Sequence, residues 1–155
     1  MGNSFTLPAS ISNSSSSSSS FIYKNINFED MQSAINNNYD TIIINTLDIA
    51  KQKCLIEGTI QIDHETKIVN EQLEKNKSIR IIVYGMNSTD ETIVKKYDQL
   101  IGLGFTNVYI YLGGLFEWLL LQDIYGQTLF PTTSIEKDLL KYKGRQQFNV
   151  RLLKN

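Results

Sequence analysis

The segment Ser78-Ile79-Arg80-Ile81-Ile82-Val83-Tyr84-Gly85-Met86-Asn87-Ser88-Thr89-Asp90-Glu91 runs from a β-branched stretch through a polar loop into a helical pattern. A loop between a strand and a helix N-terminus can turn several backbone N–H groups onto one point, where an anion or an ionised nucleophile is stabilised. Enzymes that use such a loop usually place a nucleophile on its first residue. Here that residue is Gly85, which carries nothing. Met86 follows with a thioether, which neither ionises nor holds a transferable sulfur atom. Ser88 and Glu91 stand in the S-x-x-E spacing of a capping box, and Asp90 adds a second carboxylate to the first helical turn. Each exposed carboxylate there stabilises the helix by roughly 0.3–1 kcal/mol, and together they form an acidic rim expected to repel anions. No arginine lies between Gly85 and Leu100, so the loop has no bidentate anion clamp of its own.

Other reactive side chains are few. Cys54, the one cysteine, lies in Lys51-Gln52-Lys53-Cys54-Leu55-Ile56. Two lysines would lower its pKa if the thiol were exposed; alternatively it enters the core with Leu55 and Ile56, as free cysteines commonly do. One cysteine excludes an internal disulfide framework and a cysteine zinc site. His64 is the one histidine, and His64-Glu65 lacks the second histidine of a zinc-protease helix. No metal, cofactor or catalytic residue is expected.

The elements that would hold the loop follow from patterning. Phe21-Ile22-Tyr23 reads as a short strand, and Asn27 as the cap of a helix with Phe28, Met31 and Ile35 on one face. Thr41 to Asn45 and Ile79 to Tyr84 are apolar without alternation, as strands covered on both faces require. A helix is expected over residues 64–75. Another carries Ile93, Tyr97, Leu100 and Ile101 inward and Lys95, Lys96 and Asp98 outward, and closes at Gly102 or Gly104. Val108 to Tyr111 is a further strand, and residues 115–124 form an apolar helix. Ser134 caps a last helix bearing Ile135, Leu139 and Leu140. Alternating strands and helices imply parallel strands and hence an α/β sheet with helices on both faces.

Gly104-Phe105-Thr106-Asn107-Val108 followed by Leu112-Gly113-Gly114-Leu115-Phe116-Glu117-Trp118 resembles two signatures of the rhodanese-like domain, G-F-x-N-V and L-x-G-G-x-x-x-W. Gly58-Thr59-Ile60 is similar to that family's segment after its GHI-type turn. The resemblance covers roughly Ile22 to Lys143 and implies a three-layer α/β domain with a central, mostly parallel sheet. It also implies a cysteine straight after the strand, in a C-x-x-x-x-R loop; Gly85 stands at that position, and the loop arginine is missing. The interval from Gly85 to Gly104 is a residue or two longer than the sulfurtransferase pattern, nearer that of phosphatase relatives, which need the same cysteine and arginine. The preceding strand, which in the family often ends in D-x-R, reads Asn45-Thr46-Leu47. The expectation is a catalytically inactive module that binds a protein partner through Gly85, Met86, Asn87, Ser88, Thr89, Asp90 and Glu91 with Asn45 and Leu47 as adjacent surface. The alternative is a sulfurtransferase using Cys54 or a partner thiol.

The 155 residues suit one domain, divided here as a Ser-rich leader over 1–20, the domain over 21–143 and a tail over 144–155. Ser14 to Ser20 is an unbroken serine run, a composition that stays disordered and would give the leader a reach of roughly 25 Å. Its start, Met1-Gly2-Asn3-Ser4-Phe5-Thr6, fits the N-myristoylation pattern at Gly2. One acyl chain with no lysine or arginine before Lys24 would give only weak, reversible membrane attachment. The net charge of −1 offers no electrostatic basis for nucleic-acid binding. No stretch reaches the ~20 apolar residues of a membrane span. The expected location is the cytoplasm, with peripheral membrane contact if Gly2 is acylated.

Overall fold

A computed structural model describes residues 23–148. Gly2, the Ser-rich leader, Phe21-Ile22 and the tail beyond residue 148 lie outside the described residues. Four strands, β1 (Asn25–Ile26), β2 (Thr41–Asn45), β3 (Arg80–Tyr84) and β4 (Val108–Tyr111), form one parallel sheet in the order β1-β4-β3-β2. The helices are α1 (Phe28–Asn36), α2 (Ile62–Lys75), α3 (Thr92–Leu103) and α4 (Gly114–Tyr125).

The period-two geometry of a strand sorts the apolar runs onto two faces. Ile42, Ile44, Ile81, Val83, Val108 and Ile110 meet Val69 of α2 and Ile93 and Leu100 of α3. Ile43, Ile82, Tyr84 and Tyr111 meet Met31 and Ala34 of α1 and Leu115, Trp118 and Leu119 of α4. Because both faces are covered, polar alternation is absent from β2 and β3. Each of the fully buried isoleucines contributes roughly 1.5–3 kcal/mol relative to exposure. Thr59 extends the β2 edge through a parallel bridge to Ile43, with Ile60 donating its N–H to the Ile43 carbonyl at 2.9 Å.

Several boundaries depart from the sequence reading. The first strand lies at Asn25–Ile26, because the parallel register pairs those residues with Ile110 and Tyr111 immediately before Asn27 caps α1. Tyr23 packs edge-on against Tyr97 instead. Asn27 accepts from the Asp30 N–H and Asp30 answers to the Asn27 N–H, a complete capping box. Ile101 is 41% exposed, so the buried stripe of α3 is narrower than expected, and the helix closes at Gly104 with φ 109°. The helix expected after Ser134 is absent. Residues 131–134 run beside residues 55–57, with Glu57 N–H to the Pro131 carbonyl at 3.1 Å and Thr133 N–H to the Leu55 carbonyl at 2.8 Å. Among the described residues a short 3-10 turn, Leu139–Tyr142, is the one helical element that follows.

Candidate functional site

The strand that leads into the loop is fixed at its end. The Tyr84 phenol is fully buried, accepts the Ile56 N–H at 3.1 Å and sits 2.7 Å from the Thr59 hydroxyl. Burial drives its pKa far above the ordinary tyrosine value, the two hydrogen bonds offsetting only part of the effect. Immediately after it the chain turns through Gly85, which is buried.

The space beside Gly85 belongs to Asp90. A Cβ placed on Gly85 would stand 2.5 Å from Asp90 Oδ2, 2.8 Å from Ile93 Cγ1 and 2.9 Å from Thr46 Oγ1. Asp90 Oδ2 accepts the Met86 N–H at 3.0 Å, while Oδ1 accepts the Thr92 N–H at 3.0 Å and the Thr92 hydroxyl at 2.6 Å. The Met86 N–H of the loop and the first residue of α3 thus share a carboxylate supplied by the chain itself, while the Thr89 and Asp90 N–H groups turn back to Asn87. The Ser88–Glu91 capping box is not formed: α3 starts at Thr92, Glu91 makes no side-chain cap, and Ser88 lies exposed in the turn closed by the Asp90 N–H to the Asn87 carbonyl. Asp90 takes the capping role because the turn brings it within reach of both ends of the loop.

The other loop residues divide between structure and surface. Asn87 is buried, gives its side-chain N–H to the Tyr142 carbonyl at 2.9 Å and accepts the Thr89 N–H at 3.0 Å. Met86 is half-buried, with Lys51 Nζ 3.5 Å from its sulfur. Thr89 and Glu91 are exposed. Asn45 and Leu47, expected as adjacent surface, are both only 4% exposed. Asn45 turns back to accept the Leu47 N–H at 3.0 Å, which draws Leu47 into the core beneath the loop.

Helix α4 locks the loop from the other side. Leu115 and Phe116 donate their N–H groups to the Gly85 and Met86 carbonyls at 2.9 and 2.8 Å. The close approach requires Gly114, at φ 67°, where a Cβ would lie 2.6 Å from the Gly85 oxygen. The Gly113-Gly114 pair thus places a helix N-terminus against loop backbone. Trp118 is fully buried and donates to the Pro131 carbonyl at 3.1 Å.

Over the loop lies a groove of about 690 Å³. Its lining includes Asp48, Lys51, Asp90, Glu91, Leu140, Lys141, Lys143 and Arg145. The rim is thus of mixed charge, not solely acidic, and Gly144 comes close to Thr89. The sequence analysis missed Lys51, Lys141, Lys143 and Arg145 as neighbours of the loop. Their one advance trace is the alternating basic pattern Lys141-x-Lys143-x-Arg145. Cys54 does not line this groove; it is 1% exposed and its S–H points to the Ser134 carbonyl at 3.4 Å. Among the described residues no cluster of three or more His, Cys, Asp or Glu side chains forms a metal site, and no helix is long and apolar enough to cross a membrane.

The fold has solved counterparts. The Alr3790 protein from Anabaena sp. is similar at 23% identity and TM-score 0.51 over 71% of this chain and 92% of that one. A thiosulfate sulfurtransferase from Pseudomonas aeruginosa is similar at 15% identity and TM-score 0.53, over 78% of this chain but 23% of that longer one. Ygr203w, described as a yeast protein tyrosine phosphatase of the rhodanese family, is similar at 13% identity and TM-score 0.55 over 76% and 96% of the two chains. At these identities the likeness is one of fold. A search of curated proteins finds no match. The family model described as the rhodanese-like domain matches residues 28–121, more than half of the sequence, and spans β2, β3, β4, the loop and most of α4. The chain belongs to the rhodanese-like domain family.

Proposed function

We propose that this protein is a catalytically silent rhodanese-like domain that works by binding a protein partner at the groove over residues 85–91. The observation that carries this reading is the Asp90 carboxylate lodged 2.5 Å from where a Gly85 side chain would begin. Sulfur relay needs an ionised sulfur in a field that favours negative charge, and here the Met86 N–H beside Gly85 is taken up by an internal carboxylate while the Thr89 and Asp90 N–H groups are bonded to Asn87. The alternative, sulfur transfer through Cys54, requires the buried thiol to reach solvent, and its place outside the groove argues against it. Incubating the purified full chain with thiosulfate and cyanide is expected to give no thiocyanate above background. Turnover that disappears in Cys54→Ala, or a persulfide carried by the folded protein and delivered to an acceptor, overturns the reading.

A second element of the proposal concerns the leader. The domain would lie in the cytoplasm, and acylation of Gly2 would give it weak, reversible membrane contact, the partner supplying further affinity. Coexpression with an N-myristoyltransferase followed by intact mass measurement is expected to show the added acyl chain. Its absence removes the membrane component and leaves the binding proposal standing.

A further inference from the structure

The groove has a charge arrangement that points to a class of partner. Lys51, Lys143 and Arg145 line it, and among the described residues none forms an ion pair, whereas Lys141 is paired with Glu136 at 3.3 Å. Lys51 Nζ lies 3.5 Å from the Met86 thioether, a weak acceptor. Of the carboxylates in the lining, Asp90 is turned inward onto backbone N–H groups and Thr92, so Asp48 and Glu91 are the ones left to face outward. Uncompensated cations therefore outnumber outward acids in this groove, on a chain whose net charge is −1. Apolar surface stands among them: Leu140 lines the groove at 63% exposure, together with the half-buried Met86. Exposed apolar side chains rimmed by charge are a mark of an interaction surface.

Building on the binding reading above, we propose that the groove receives an extended acidic peptide segment of a partner protein. An apolar side chain of the peptide packs on Leu140 while its carboxylates meet Lys143, Arg145 and Lys51. The concave shape favours a chain segment over a lipid surface, since a flat bilayer would touch the rim and leave the floor uncovered. The volume of about 690 Å³ is that of a site for a few residues of extended chain. Charge complementarity of this kind acts chiefly on specificity and association rate, so binding should weaken as salt is added.

The test is selection of a random peptide library on the full chain, followed by fluorescence anisotropy of the best labelled peptide. The double variant Lys143→Glu/Arg145→Glu is compared with Lys67→Glu/Lys75→Glu, which makes the same charge change on the exposed face of α2. Selected peptides are expected to be rich in Asp and Glu around an apolar residue, and to bind the first variant at least ~10-fold more weakly and the second about as well as wild type. Circular dichroism reports whether each variant is folded, and Lys51→Gln, on a different element, gives an independent loss if the first variant unfolds. Peptides without acidic bias, no selected peptide, or equal weakening in both double variants overturns the proposal. So does groove-dependent capture of the unacylated protein by phosphatidylserine vesicles with no peptide bound. Neutral peptides that still need Lys143 and Arg145 would defeat the acidic class while leaving the binding reading intact, whereas thiosulfate turnover would defeat the binding reading itself.

Discussion

At Gly85 a side chain is excluded by three neighbours, Asp90, Ile93 and Thr46, and the nearest of them is a charged oxygen with its own hydrogen bonds. Gly85→Ala is therefore expected to destabilise the protein by ~1–3 kcal/mol through overpacking, read as a lower urea midpoint at unchanged slope. Adding Asp90→Ser should return part of that loss by vacating the carboxylate's space. Asp90→Ala alone is expected to cost about 0.5–2 kcal/mol, the usual range for a lost helix cap. The role of Asp90 was not legible in the sequence. Ser88 and Glu91 matched a capping pattern, but the turn through Asn87 shifts the helix start to Thr92, and Asn87 is held by the Tyr142 carbonyl. No local pattern contains a contact made 55 residues away. The bare first position of the loop, by contrast, could be read directly from Gly85.

At the level of elements, the strands β2, β3 and β4 were legible because coverage on both faces demands unbroken apolar runs, and little else in the chain offers them. The last helix was misread for the same kind of reason. Ile135, Leu139 and Leu140 have helical spacing, yet Ile135 is 74% exposed, and the chain before it is held extended by hydrogen bonds to Leu55 and Glu57. Tertiary pairing overrode a weak local preference. The junction of loop and α4 yields a sharper prediction. Gly114→Ala combines backbone strain at φ 67° with a backbone clash 2.6 Å from the Gly85 oxygen, a contact no rotamer change can relieve. The expected cost is roughly 2–5 kcal/mol, measured by thermal unfolding, with the loop amides of residues 85–87 shifting most in NMR spectra.

For the molecule as a whole, buried phenols set the alkaline limit of stability. Burial raises the Tyr142 pKa to about 12, and Tyr84 and Tyr111 are displaced upward as well. A folded-state pKa above the unfolded value means stability is fully present below the unfolded value of ~10 and falls as pH rises from there through the folded value. Unfolding midpoints measured across that window should drop, and the ultraviolet phenolate band of these residues should emerge together with loss of structure. Trp118 offers a way to watch the event. It is the sole tryptophan, fully buried, with the rings of Tyr111 and Phe130 edge-on to it at 6.0 and 5.0 Å. Its emission is a chromophore for the α1/α4 side alone, so a red shift that precedes the loss of far-ultraviolet ellipticity would reveal that the two halves of the sandwich melt separately.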